Sequence, residues 1–225
     1  MKTVWVHAHV GSNPTLCAIA DCQSAVCFFF YIIIYIFISY YIIGDMMNKK
    51  VLRLEILGFI FTCVIGTLMH FVFEWSGNNP IVGLFCPVNE SVFEHLKMLF
   101  FPYLIWTFIE AIKLSQDKFN VYTAKLIGIT SGMLITLAVF YISAGMFGRY
   151  FEVVNIASFF IGVLFAYIIS YNIINYSKGK GLINGISFAL LIIIAIIFIF
   201  FTLSPAHIPF FLDFKTQTYG ITKQH

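Results

Sequence analysis

The chain has 225 residues, of which 60% are hydrophobic and 19% aromatic, and only 10% carry a charge. A water-soluble domain needs far more polar surface than a mean hydropathy of +0.93 allows, so lipid must solvate most of this chain. The formal net charge of +3 is small and the sequence has no basic run. This pattern favours the lipid bilayer as a partner and excludes nucleic acid.

Residues 1–45 contain the first apolar run, Val26–Ile43, which is rich in Phe, Ile and Tyr. Met46 follows it, with a short basic segment and then a long apolar span, as at the beginning of many bacterial membrane proteins. We therefore interpret residues 1–45 as a doubtful leader and favour a start codon set too early. A signal peptide and a genuine extra helix are the alternatives. Residues 46–225 are predicted to form a single transmembrane domain.

Five further apolar runs approach the roughly 20 residues that a helix needs to cross a bilayer. None has the polar and apolar alternation of a transmembrane β-strand. The predicted fold class is therefore all-α, a polytopic transmembrane helix bundle of five helices, or six if Val26–Ile43 also spans. The five predicted spans are Leu54–Phe73, Phe93–Ile112, Ala124–Met146, Phe151–Ile173 and Ile183–Leu203.

Basic residues near the ends of the spans predict the orientation. Eight lie on the side where the first span begins: Lys49, Lys50, Arg53, Lys113, Lys118, Lys125, Lys178 and Lys180. Four lie on the other side: Lys97, Arg149, Lys215 and Lys223. The positive-inside rule places the N-terminus of the 46–225 region inside and the C-terminus outside. The expected location is the bacterial cytoplasmic membrane, crossed several times.

Three separate stretches bring polar residues to the predicted outer face. His70 and Glu74 are four residues apart at the end of the first span, so they share a helix face. The second span begins close to His95, and His207 follows the fifth span. Histidines on facing helix ends can hold a divalent metal such as zinc, with one position left for water. We predict His70, His95 and His207 as metal ligands.

In the first functional hypothesis the protein is a membrane-embedded metal-dependent hydrolase. Glu74 or Glu94 would act as general base on the water bound to the metal. A simpler interpretation exists for part of this pattern, because Ser91-x-x-Glu94 before an apolar run is also a capping box. Lys97 would then pair with Glu94 or reach the lipid headgroups. Capping does not explain three histidines on one side.

The second hypothesis is a non-catalytic binder of a cation or amine, or a small transporter, whose acidic face takes up the ligand. A structural accessory protein is the third. A transporter predicts ionisable residues near the middle of the membrane, and the predicted spans hold few. Glu110 is interpreted as a partner of Lys113, three residues further on. The sequence leaves a small-molecule or lipid ligand open, and it indicates neither substrate nor oligomeric state.

Small residues recur every fourth position in three spans, which favours close contact between helix backbones. The third span has Gly128 and Gly132. The fourth has Ser158, Gly162, Ala166 and Ser170, and the fifth has Gly181, Gly185 and Ala189.

The segments CPVNESVFEHLKMLFFP, HFVFEW and PAHIPFFLDFKTQTYG resemble an uncharacterised bacterial family of small multi-pass membrane proteins. Its motif is N-E-S-x-aromatic-E-H-x-K, and the similarity covers about Met46 to the C-terminus. A weaker resemblance links Ser91-x3-His95 to the alkaline ceramidase and adiponectin-receptor superfamily, which are membrane hydrolases with zinc. That resemblance implies a catalytic role for Ser91 beside Glu74 and Glu94.

Overall fold

A computed structural model describes residues 49–114, 120–147, 152–176, 181–213 and 216–221. The predictions about residues 1–45, including a sixth span at Val26–Ile43, lie outside the described residues. Within them the chain forms five long helices, and all five are long and apolar enough to cross a membrane. The predicted all-α bundle is confirmed. The helices are α1 (Lys49–Trp75), α2 (Val92–Leu114), α3 (Val121–Phe147), α4 (Glu152–Tyr176) and α5 (Gly181–Leu203).

The least apolar of the five helices, α2, is also the most buried. The most apolar helix, α5, is among the least buried and leaves large side chains such as Leu182 and Phe200 exposed. Lipid tails solvate apolar side chains well but have no hydrogen-bond donors or acceptors. Polar residues of the spans must therefore form their hydrogen bonds inside the protein. The polar content of α2 therefore places it in the centre of the bundle.

Helix packing follows the small residues of α3 and α4. The two helices form the most extensive contact in the bundle, while α1 packs on α2 and α4, and α5 packs on α3. A Cβ atom added to Gly132 would lie 2.7 Å from the carbonyl oxygen of Gly162 and 2.8 Å from the Cβ of Ala166. The predicted close approach of these two helices is confirmed, because only glycine fits at this distance.

The prediction of close helix contact through small residues is wrong for α5. A Cβ atom added to Gly181 or Gly185 would meet no heavy atom of the described chain within 4 Å. The buried residues of α5 are instead Ser187, Leu191, Phe198 and Thr202. This other face of α5 packs on the bundle, which turns the glycines outward.

One end of the bundle is covered by a loop and by the C-terminal segment, and we call it the tail end. The loop turns at Gly77 and Asn78, both with positive φ, and continues through a short helix, Pro80–Gly83. After α5 the chain forms a 3-10 turn at Pro209–Phe211 and folds back over the loop. The side-chain amide of Asn89 donates to the carbonyl oxygen of Gly220 at 3.1 Å, which joins loop and tail.

Candidate functional site

Two histidines and one glutamate meet at the tail end, and we call His70, Glu90 and His95 the His–Glu cluster. His70 lies in the last turns of α1, Glu90 lies two residues before α2, and His95 lies in the first turn of α2. The Nε2 atom of His70 is 3.7 Å from Oε1 of Glu90, and Nε2 of His95 is 3.4 Å from Oε2. The imidazole centroids are 5.6 Å apart. About a third of each side chain is exposed.

The hydrogen bonding of His95 makes this cluster attractive to positive charge. Its Nδ1 lies 2.9 Å from the backbone carbonyl oxygen of Ser91, which can only accept, so Nδ1 donates. The other ring nitrogen, Nε2, faces the Glu90 carboxylate. A bare lone pair facing a carboxylate is repulsive, so this position favours a proton or another cation between Nε2 and Glu90.

Two cavities meet at the His–Glu cluster, since both are lined by His70, Phe71 and Glu90. The larger, about 590 Å³, also has Glu74 and Asp213 among its lining residues, and the described lining residues include no Lys or Arg. The smaller, about 350 Å³, is lined by His95 and by mostly apolar side chains, among them Met98, Phe159 and Phe160. The arrangement combines an acidic chamber with an apolar one.

Glu94 and Lys97 form a buried ion pair that closes the tail end. The Lys97 ammonium lies 2.5 Å from Glu94 Oε2 and donates to the carbonyl oxygen of Gly83 at 2.8 Å and to Thr202 Oγ1 at 2.9 Å. The Glu94 carboxylate also accepts from the Val88 amide at 3.0 Å and from the Thr202 hydroxyl at 3.2 Å. The predicted pairing of these two residues is confirmed, and it ties the loop and α5 to α2.

The capping box forms in one direction. The Ser91 hydroxyl accepts from the Glu94 amide at 3.4 Å, but the Glu94 side chain bonds the Val88 amide. Neither Ser91 nor Glu94 is among the described residues that line the two cavities. Their predicted catalytic roles remain predictions, whereas their contacts are those of a helix start and an ion pair.

The structure brings two of the three predicted metal ligands together. His70 and His95 lie side by side, while His207 stacks on Tyr219 with ring centroids 4.8 Å apart. No three His, Cys, Asp or Glu side chains of the described chain are placed to hold a metal ion. Glu74, predicted as a base, lines the larger cavity. Metal binding and catalysis at these residues remain predictions.

A second polar cluster, the Glu–Lys cluster, consists of Glu55, Glu110 and Lys125 and lies toward the opposite end of the bundle. Lys125 Nζ is 2.7 Å from Oε2 of Glu55 and 2.7 Å from Oε2 of Glu110, and all three side chains are buried. The predicted pairing of Glu110 with Lys113 is wrong, because Glu110 turns inward while Lys113 is exposed. The cluster lies one or two turns inside the helix ends, so the expectation of few ionisable residues near the middle of the membrane stays a prediction.

Sequence reasoning missed the Glu–Lys cluster and the central place of Glu90. The sequence does contain an indication of the cluster, since Glu55 and Lys125 are charged residues one or two turns inside apolar spans. A charged side chain is energetically unfavourable in lipid, so such a residue faces the protein interior. Glu90 gave a weaker signal, since an acidic residue at the start of a helix already has an explanation in the helix dipole.

These observations define a multi-pass helical membrane protein with a polar site at one end and a buried ionic cluster toward the other. The chain belongs to DUF6512, a family of unknown function, whose family model matches residues 45–221. Comparison with curated proteins gives no match, and comparison with solved structures gives none either. The resemblance to an uncharacterised family is thereby confirmed, while the ceramidase similarity and the bacterial origin gain no support.

Proposed function

We propose that the protein is a membrane-embedded binder or small transporter of an organic cation, with Glu90 as the residue that holds the positive charge. The observation that carries the proposal is the position of Glu90. It lies between two imidazoles, at the junction of an acidic cavity and an apolar cavity.

Electrostatics supports a cationic ligand. Three acidic residues, Glu74, Glu90 and Asp213, line the larger cavity, and its described lining includes no Lys or Arg. Like charges in one partly enclosed space create a field that concentrates the opposite charge. The imidazole of His95 adds to this preference, because its Nε2 and the Glu90 carboxylate are both acceptors when His95 is neutral.

The apolar cavity supports a ligand with a hydrocarbon part. Its volume of about 350 Å³ is in the range of small-molecule sites, and Phe159 and Phe160 from α4 form part of its wall. A primary amine with a short alkyl chain fits both chambers, since its ammonium group would meet Glu90 and its chain would contact the aromatic side chains.

The metal-dependent hydrolase is the competing hypothesis, and it uses His70 and His95 as ligands with Glu74 or Glu94 as base. It is the weaker one here for two reasons. No group of three His, Cys, Asp or Glu side chains among the described residues has the arrangement of a metal site, and both oxygens of Glu94 already accept hydrogen bonds. Zinc is therefore a comparison ligand in the test below.

We also propose that the tail end faces the outside of the membrane. Lys97 and Lys125 are buried in ion pairs and no longer count as flanking charges. Setting them aside leaves seven basic residues on one side and three on the other, so the asymmetry behind the positive-inside rule is kept.

The test is calorimetric titration of the purified full-length protein with hexylammonium, with hexanol as the uncharged analogue and with Zn²⁺. We expect hexylammonium to bind more tightly than hexanol, and Glu90→Gln to lower its affinity at least about tenfold, since a charged hydrogen bond is lost. Glu110→Gln, the same change at the far end of the bundle, is the matched control and should leave binding unchanged.

Two results would contradict the proposal. One is equal binding of hexylammonium and hexanol. The other is tight Zn²⁺ binding that depends on His70 and His95 without any binding of hexylammonium, which would favour the hydrolase.

A further inference from the structure

We propose that Glu55, Glu110 and Lys125 form a proton-binding site within the membrane-spanning part of the bundle, in which the two carboxyl groups hold one proton beside a single ammonium group. The site is distinct from the His–Glu cluster. Glu55 and His70 lie on the same helix about four turns apart, which separates them by about 22 Å along the α1 axis.

The charges of the Glu–Lys cluster do not balance when all three side chains are ionised. Glu55 of α1, Glu110 of α2 and Lys125 of α3 are each at most 1% exposed. With all three ionised, the cluster would carry one uncompensated negative charge in an environment without water, which is strongly unfavourable. One proton restores neutrality.

Among the described residues, the neighbouring helices supply no second cation to the cluster. The other titratable groups of that part of the chain that face it are the phenols of Tyr103 on α2 and Tyr167 on α4, whose ring centroids lie 5.2 Å and 4.6 Å from Lys125 Nζ. Both rings stabilise the ammonium group through their faces and leave the carboxyl groups uncompensated. Helix α5 has no titratable side chain at all.

The two carboxyl groups of the cluster differ in their hydrogen bonding. Glu55 is fully engaged, since Oε2 accepts from Lys125 at 2.7 Å and Oε1 accepts from the Ser170 hydroxyl at 2.7 Å. Glu110 Oε2 lies 2.7 Å from the same ammonium, but Oε1 is buried and has no hydrogen-bond partner among the described residues.

An ionised carboxylate loses far more than a neutral carboxyl group when it lacks partners. The proton therefore belongs on Glu110, while Glu55 remains the ionised partner of Lys125. A buried carboxyl group such as that of Glu110 can take up and release a proton inside a membrane helix bundle.

Infrared spectroscopy of the full-length protein in lipid vesicles tests this directly, because a protonated carboxyl group has a carbonyl stretch separate from that of a carboxylate. At neutral pH the wild type should show the band of one buried protonated carboxyl. Glu110→Gln, which keeps the shape of the neutral side chain, should remove it. Glu90→Gln should leave it unchanged, so this test does not depend on the proposed cation site.

A second variant checks the charge balance. Lys125→Gln removes the ammonium group, so both carboxyl groups must be neutral. The intensity of the protonated-carboxyl band should then double. Absence of the band in the folded wild type would overturn the proposal. So would a band that survives Glu110→Gln, or one that is removed only by Glu55→Gln.

Discussion

Lys97 and Lys125 are both fully buried, yet one lysine faces a single carboxylate and the other faces two. In the first pair the charges cancel, and Glu94 and Lys97 also bond the Val88 amide, the Gly83 carbonyl and the Thr202 hydroxyl. In the Glu–Lys cluster the carboxyls outnumber the ammonium, and one oxygen of Glu110 has no hydrogen-bond partner among the described residues.

The difference separates two uses of a buried charge. A balanced pair is neutral as a unit, and its hydrogen bonds fix the loop and α5 against α2. An unbalanced set with a free acceptor changes charge by one when a proton binds or leaves. The balance of charge and the completeness of hydrogen bonding therefore distinguish a structural ion pair, such as Glu94–Lys97, from a site that binds and releases a proton, such as the Glu–Lys cluster.

The largest expected effect comes from removing the ammonium group of the balanced pair. Lys97→Met leaves the buried Glu94 carboxylate without its counter-charge, and we expect the free energy of unfolding to fall by about 3–5 kcal/mol. Equilibrium unfolding in mixed micelles measures it. Lys113→Met, at an exposed position, is the control. A loss at Lys97 no larger than that at Lys113 would show that the pair does not hold the tail end together.

A smaller effect is expected at the Glu–Lys cluster from Ser170→Ala, which removes the hydroxyl that donates to Glu55 Oε1. A hydrogen bond to a charged group contributes about 1.5–3 kcal/mol, and we expect a loss of stability in that range. Ser143→Ala removes a hydroxyl that bonds only a carbonyl of its own helix, and it should change stability by less than about 0.5 kcal/mol. Equal effects of the two variants would argue against an ionised Glu55.

The smallest effect is expected at the tail end, where water can replace a lost bond. Asn89→Ala removes the donor to the Gly220 carbonyl and the acceptor for the Ser91 amide, and Asn89 is only partly buried. We expect a loss of about 0.5–1.5 kcal/mol, together with faster proteolysis of the tail. Asn175→Ala, on α4, is the control for changes in helix preference. A loss as large as that of Ser170→Ala would show that water does not replace the bonds of Asn89 and would contradict this expectation.

Much of the fold could be predicted from the sequence, because the length and hydropathy of each span follow from the thickness of the bilayer. The contact of His70 with His95 was also within reach, since helical spacing and a short loop place both at the same end. These predictions depend on distances along the chain.

The Glu–Lys cluster could not be predicted in the same way. Glu55 and Lys125 are on different helices, and their contact depends on how each helix is rotated about its axis. A helix that is apolar on every side has no polar stripe to fix this rotation. The role of Glu90 was hidden for another reason, because an acidic residue close to a helix N-terminus is favoured by the helix dipole whether or not a site is present.

The distinction between the two clusters is tested most directly by making the same change, Glu to Gln, at Glu94 and at Glu110. The quantity to measure is the free energy of unfolding of each variant at neutral pH. Glu94→Gln leaves the Lys97 ammonium without a counter-charge and should lose about 3–5 kcal/mol. Glu110→Gln replaces a neutral carboxyl by a neutral amide and should change stability by less than about 1 kcal/mol. A loss at Glu110 equal to that at Glu94 would show that Glu110 is an ionised structural partner of Lys125, and it would contradict the distinction between the two clusters.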